Sequence, residues 1–217
     1  MKIQDTFLAA FGALITATHC HAALISTNEV EMDAIFSQAS FAGATIDIRF
    51  NSAETVRNPS LQSIDTEAEL LDLLAQGPGS SPTVNLYFVD SLCWCGACNA
   101  NIVGCATLPG RHAIVESATA AGPLGGVLNA HELGHNLGLG HTETGLMSPT
   151  LGGDTTLTSA EVATILSSPL IQMDGGQRFV SITPVLVAAP EPSSWLLACI
   201  VAVGVCAAHR RCKRAKA

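Results

Sequence analysis

Residues 131–147 read HELGHNLGLGHTETGLM, and the spacing of their histidines decides how the rest of the chain is read. Positions i and i+4 of an α-helix differ by about forty degrees around the axis. His131 and His135 therefore point the same way and can bind one ion. Gly138 can take a positive φ and end the helix, letting the chain turn so that His141 supplies a third nitrogen. Three neutral imidazoles leave a fourth tetrahedral position for water, the arrangement of a catalytic rather than a structural zinc. Glu132, beside His131, can reach that water, accept its proton and later pass it to a leaving amine. At ordinary residue frequencies HExxHxxGxxH arises by chance in on the order of one chain in 10⁵.

The motif sits in a chain of 217 residues whose two ends differ from its middle. Residues 1–22 carry Lys2, an apolar run from Phe7 to Ala17 and a small residue at Ala22, which reads as a cleaved secretory signal. His19 stands before Cys20 where a lipoprotein signal wants a small residue, so plain cleavage is expected. Residues 188–217 contain an apolar stretch from Trp195 to Ala208 followed by Arg210, Arg211, Lys213, Arg214 and Lys216. That stretch is short for a hydrocarbon core of about 30 Å unless Ser193, Ser194 or the arginine stems extend it. The basic tail predicts a transmembrane segment with its C-terminus in the cytoplasm.

Between the ends, residues 23–187 read as one domain with no internal repeat. Only Arg49, Arg57, Arg111 and Arg178 face sixteen acidic residues there, a formal charge of −12, which excludes nucleic acid as a natural partner. Helix and strand patterns alternate, favouring an α/β or α+β sheet covered by helices. NEVEMDAIFSQAS predicts a helix after an Asn28 cap, TIDIRF a strand, DTEAELLDLLAQ a helix capped by Asp65, and TVNLYFVD a strand. RHAIVES reads as a short strand, GPLGGVLNAHELGHNLG as the histidine-bearing helix, and LTSAEVATIL as a helix opened by a Thr158 and Glu161 capping box. RFVSITPVLVAAP reads as a last strand or a stalk, with Pro184 arguing against a central strand.

Cys93, Cys95, Cys98 and Cys105 cluster in CWCGACNANIVGC. In an exported chain an even, dense set predicts two disulfides, with three pairings open; a second, structural zinc on the same thiols is the alternative. His112 is expected on the surface or in an edge strand rather than as a fourth ligand.

HELGHNLGLGH followed by GLMSP resembles the metzincin zinc endopeptidases, whose zinc histidines, catalytic glutamate, glycine and Met-turn match His131, His135, His141, Glu132, Gly138 and Met147. The resemblance implies a mixed, twisted sheet over an active-site helix, Zn²⁺ as cofactor, a protein or peptide substrate, and Met147 packed beneath the metal without binding it. It also implies that GCATLPGRHAIV is a substrate-lining edge strand that pairs with an extended peptide. The family's first strand has no clear counterpart unless AALIS supplies it, and no sizeable inhibitory propeptide is visible. No tyrosine follows Met147 near the metal; the single tyrosine, Tyr87, falls in a predicted strand.

Pro190, Glu191 and Pro192, then the apolar segment and the arginine cluster, resemble a PEP-CTERM sorting signal. That resemblance implies processing by an exosortase, passage through the inner membrane, and display at the cell surface or in an extracellular matrix. The combined expectation is an exported, surface-sorted zinc endopeptidase; the alternative is a non-catalytic zinc-binding surface or matrix protein.

Overall fold

Apolar residues at helical spacing alternate with β-branched runs, and the elements follow that alternation. The computed structural model describes residues 24–188. Helix α1 (Glu29–Ile35) buries Met32 and Ile35, and strand β1 (Ile46–Phe50) turns Ile46 and Ile48 into the core. Asn28 precedes α1 but makes no cap bond; its amide donates instead to Ser26 O and Ala120 O.

Strands β2 (Glu54–Arg57) and β3 (Ser63–Ile64) lead to helix α2 (Glu67–Ala75). The cap of α2 is Thr66, one residue later than the expected Asp65. Thr66 Oγ1 accepts the Glu69 N–H at 3.3 Å, and the Glu69 carboxylate accepts the Thr66 N–H at 2.9 Å. A reciprocal box satisfies two orphan donors, which a lone aspartate at position 65 would not do.

Strand β4 (Val84–Val89), strand β5 (Ser91–Leu92), the cysteine loop, strand β6 (Gly104–Ala106) and strand β7 (His112–Glu116) follow. Helices α3 (Ser117–Ala120), α4 (Gly125–Asn136) and α5 (Ser159–Leu166) and strands β8 (Gln172–Asp174) and β9 (Gln177–Ala188) complete the described chain. Thr158 and Glu161 form the capping box of α5.

The strands make a mixed, seven-stranded sheet ordered β1-β9-β4-β7-β6, with β2 and β8 also paired to β9; β3 and β5 pair separately. Strands β1, β9, β4 and β7 are parallel, and β6 runs antiparallel to β7 as one edge. All six residues of β4 are buried because both faces of the sheet are covered. Leu86 and Phe88 join the cluster that includes Met32 of α1, Leu133 of α4 and Val162 of α5. Tyr87 and Val89 face the other way, into a cluster with Leu61, Leu73 and Val185.

Pro184 does lie in a central strand, contrary to the sequence expectation. One side of β9 carries β1 up to Ile182 and then β2 from Val185; the other carries β8 and then β4. The Asn51 N–H donates to Ile182 O at 2.8 Å, so the main-chain groups of Ile182 and, two residues on, of Pro184 face the β1 and β2 side. Residues 51–53 there lie between the two ladders, so the missing proline N–H falls where pairing is already interrupted. Strand β9 also corrects the expectation about AALIS: Leu24, Ile25 and Ser26 form no strand, and the position beside β1 is filled from the other end of the chain.

Among the described residues no helix is long and apolar enough to cross a membrane. The signal at 1–22, the proline-glutamate-proline motif and the apolar stretch from Trp195 lie outside the described residues.

Candidate metal centre and catalytic cleft

Helix α4 is buried along nearly its whole length, and it presents His131 and His135 from one face. Its end is a Schellman motif: Gly138 N–H donates to His135 O and Leu139 N–H to Gly134 O, each at 2.9 Å. Gly138 has φ of 105°, a conformation that suits glycine, and the reversal brings His141 back to the other two histidines.

The ring nitrogens identify what the cluster can hold. His131 Nδ1 lies 2.7 Å from Leu146 O and His135 Nδ1 lies 2.8 Å from Leu139 O. A carbonyl only accepts, so both Nδ1 atoms carry the proton and both Nε2 atoms present lone pairs. Yet His135 Nε2 is 3.1 Å from the Nε2 atoms of both His131 and His141. The His131 and His135 lone pairs at that spacing repel unless a cation sits between them. Zinc–nitrogen bonds of about 2.0–2.1 Å in tetrahedral geometry bring ligand nitrogens to about 3.3 Å, close to what is seen. The three histidines can therefore bind a metal ion. Burial lowers the His131 pKa to about 4 despite the Leu146 carbonyl, and lowers that of His135 as well. Both imidazoles are thereby kept in the neutral form that ligates.

Glu132 is 4% exposed, and burial pushes its carboxyl up to about 8. Its Oε2 has no hydrogen-bond partner, which is costly unless something else meets it. The carboxylate packs against Gly104 of β6, where a Cβ would collide with it and with the Leu128 side chain of α4. Met147 is fully buried, against Gly134, and its carbonyl accepts the Thr142 N–H at 3.0 Å. The adjacent Leu146 supplies the carbonyl that orients His131.

A cleft of about 710 Å³ opens over the cluster, lined by the three histidines and Glu132 together with residues of β6 and the segment Ser148 to Leu151. The main-chain groups of β6 can be assigned by alternation. Val103 O accepts from Glu116 N and Thr107 N donates to His112 O, so 103, 105 and 107 face β7. The N–H and C=O groups of Gly104 and Ala106 consequently point to the open edge of the sheet.

The four cysteines pair as Cys93–Cys98 and Cys95–Cys105, which removes the alternative of a thiolate zinc site. Cys105 lies in β6, so the second pair ties the cysteine loop to the strand edge that lines the cleft. His112 stands in β7, an interior strand, with Nδ1 3.1 Å from the Tyr87 hydroxyl, and is not part of the metal cluster.

Two residues of α4 escaped the sequence reading. The Asn129 amide holds Ser26 O at 3.0 Å and Thr27 O at 3.1 Å, and the Asn136 amide holds Thr107 O and His112 O, each at 3.0 Å. A buried asparagine in an apolar helix face was the available signal, because an amide in that position needs partners. No protein-family model matches the chain, and no curated protein matches it.

Proposed function

We propose that the chain is a zinc-dependent endopeptidase of metzincin type. The observation that carries this reading is the convergence of three histidine Nε2 atoms, two of them with lone pairs fixed by their Nδ1 hydrogen bonds, and one buried, unpartnered carboxylate oxygen on a single cleft beside an open strand edge. Zinc held there supplies Lewis acidity, which makes water a nucleophile near neutral pH and polarises the scissile carbonyl. His131, His135 and His141 are the ligands, with Leu146 O and Leu139 O orienting the first two rings. Glu132 takes the proton of the attacking water and returns it to the leaving amine. Its place beside His131 in the same cleft suits both halves of that exchange. The free main-chain groups of Gly104 and Ala106 bind the substrate as an added strand.

Paired cysteines support an oxidising compartment, in keeping with export and surface sorting of the chain through its terminal segments by an exosortase. Glu132→Gln tests the central claim. The variant is expected to keep one zinc per chain and to lose peptide cleavage by about 10²- to 10⁴-fold. Equal cleavage by variant and wild type would overturn the assignment of Glu132, and a wild type that is zinc-loaded but inert on peptide libraries would favour the non-catalytic zinc-binding protein.

A further inference from the structure

The proposal concerns Asn136, and it rests on the endopeptidase reading above. Strand β6 has only three residues, lies at the sheet edge, and has a ladder on one side alone. Its exit turn, residues 107–112, would be the part most free to fray. Asn136 closes that turn. Its side-chain amide donates to Thr107 O and His112 O at 3.0 Å each, and its main-chain carbonyl accepts the Gly110 N–H at 3.3 Å. Thr107 and His112 are also the hydrogen-bonded pair that ends the β6–β7 ladder, with Thr107 N donating to His112 O at 2.9 Å.

Asn136 is both the last residue of α4 and the neighbour of His135. It is 1% exposed, so its links are not exchanged with solvent. One planar amide thus joins the helix that bears two metal ligands to the strand edge whose Gly104 and Ala106 are open. A peptide added to that edge has its register set by β6, whereas the reacting carbonyl must meet a point set by the histidines. Misplacement of about 1 Å between the two is enough to cost on the order of 10²-fold in rate.

We infer that Asn136 is a positioning residue that fixes the substrate-binding edge of β6 relative to the metal-bearing helix. The side-chain type follows from the task. Two N–H donors on one short arm reach two carbonyls; aspartate has the shape without the donors.

The test compares Asn136→Ala and Asn136→Asp with wild type, using zinc content and two peptides that share one scissile bond. One peptide covers only the residues flanking that bond, and the other extends it on both sides so that it can pair along β6. Both variants are expected to keep one zinc per chain. Their kcat/KM on the extended peptide should fall at least tenfold, chiefly through KM, with less than a threefold change on the short one. Equal losses on both peptides, no loss on the extended one, or loss of zinc or folding in both variants would overturn the positioning role. A wild type that cleaves neither peptide would instead overturn the endopeptidase reading, and this inference with it.

Discussion

Glu132 owes its surroundings to residues that carry no chemistry themselves. Gly104, across the gap in β6, lies against its carboxylate, and burial raises the proton affinity of that group. A methyl group at that glycine would land on the carboxylate and on the Leu128 side chain, so both would have to move. Gly104→Ala is therefore expected to displace the Glu132 carboxylate, with at most about 1 kcal/mol lost in stability, and to reduce cleavage while zinc content is unchanged. Denaturant unfolding together with a cleavage assay checks this, and unaltered cleavage would show that the carboxylate keeps its place. The three clustered histidines and the acidic residue were legible in HELGHNLGLGH because their spacing is a property of one helix and one turn. Gly104 was not legible as a partner of Glu132, since nothing local brings residues twenty-eight apart in sequence together.

The helices show how far local chemistry extends. Thr158 and Glu161 announced the cap of α5, whereas for α2 the choice between Asp65 and Thr66 turned on which one could form a reciprocal box. Hydrogen bonds from the Asp65 N–H and then the Thr66 hydroxyl hold the Glu69 carboxyl below its ordinary value of 4.5. A folded-state pKa below the unfolded one means that the ionised cap contributes stability above that ordinary value and loses it as pH falls through the folded one. The urea midpoints of wild type and Glu69→Gln should accordingly differ at neutral pH and converge in acid. A gap of constant size down to low pH would show that the charge of Glu69 has no part in the cap. Strand β9 marks the limit of such local reasoning. Pro184 reads as a sheet breaker in isolation, yet it is accommodated because a different segment, residues 51–53, happens to leave the ladder beside it.

Across the whole molecule, β9 pairs with β1, β2, β4 and β8, so the last described element is also the centre of the sheet. Its contacts with β1 span more than a hundred residues, which makes the sheet one of high contact order and postpones its completion until β9 has joined it. A chain ending at Gly176 is expected to lose cooperative unfolding and any metal affinity together, although His131, His135 and His141 are all present. Far-ultraviolet circular dichroism and zinc titration would check it, and a truncated chain that folds and binds zinc would refute the central role of β9.

The sequence by itself determined what depends on short-range spacing. Two histidines share a helix face, a glycine ends that helix, an acid stands next to a ligand, and four cysteines are close enough to pair. It also made alternating helices and strands legible, because burial patterns repeat with the period of each element. Tertiary structure alone decided which cysteines join, which strand fills the centre of the sheet, and which residue of β6 lies against Glu132. It also decided that Asn136 spans from the histidine helix to the open strand edge. Each of these depends on distances between segments far apart in the chain, and those distances are set only when the two cores on either side of the sheet close.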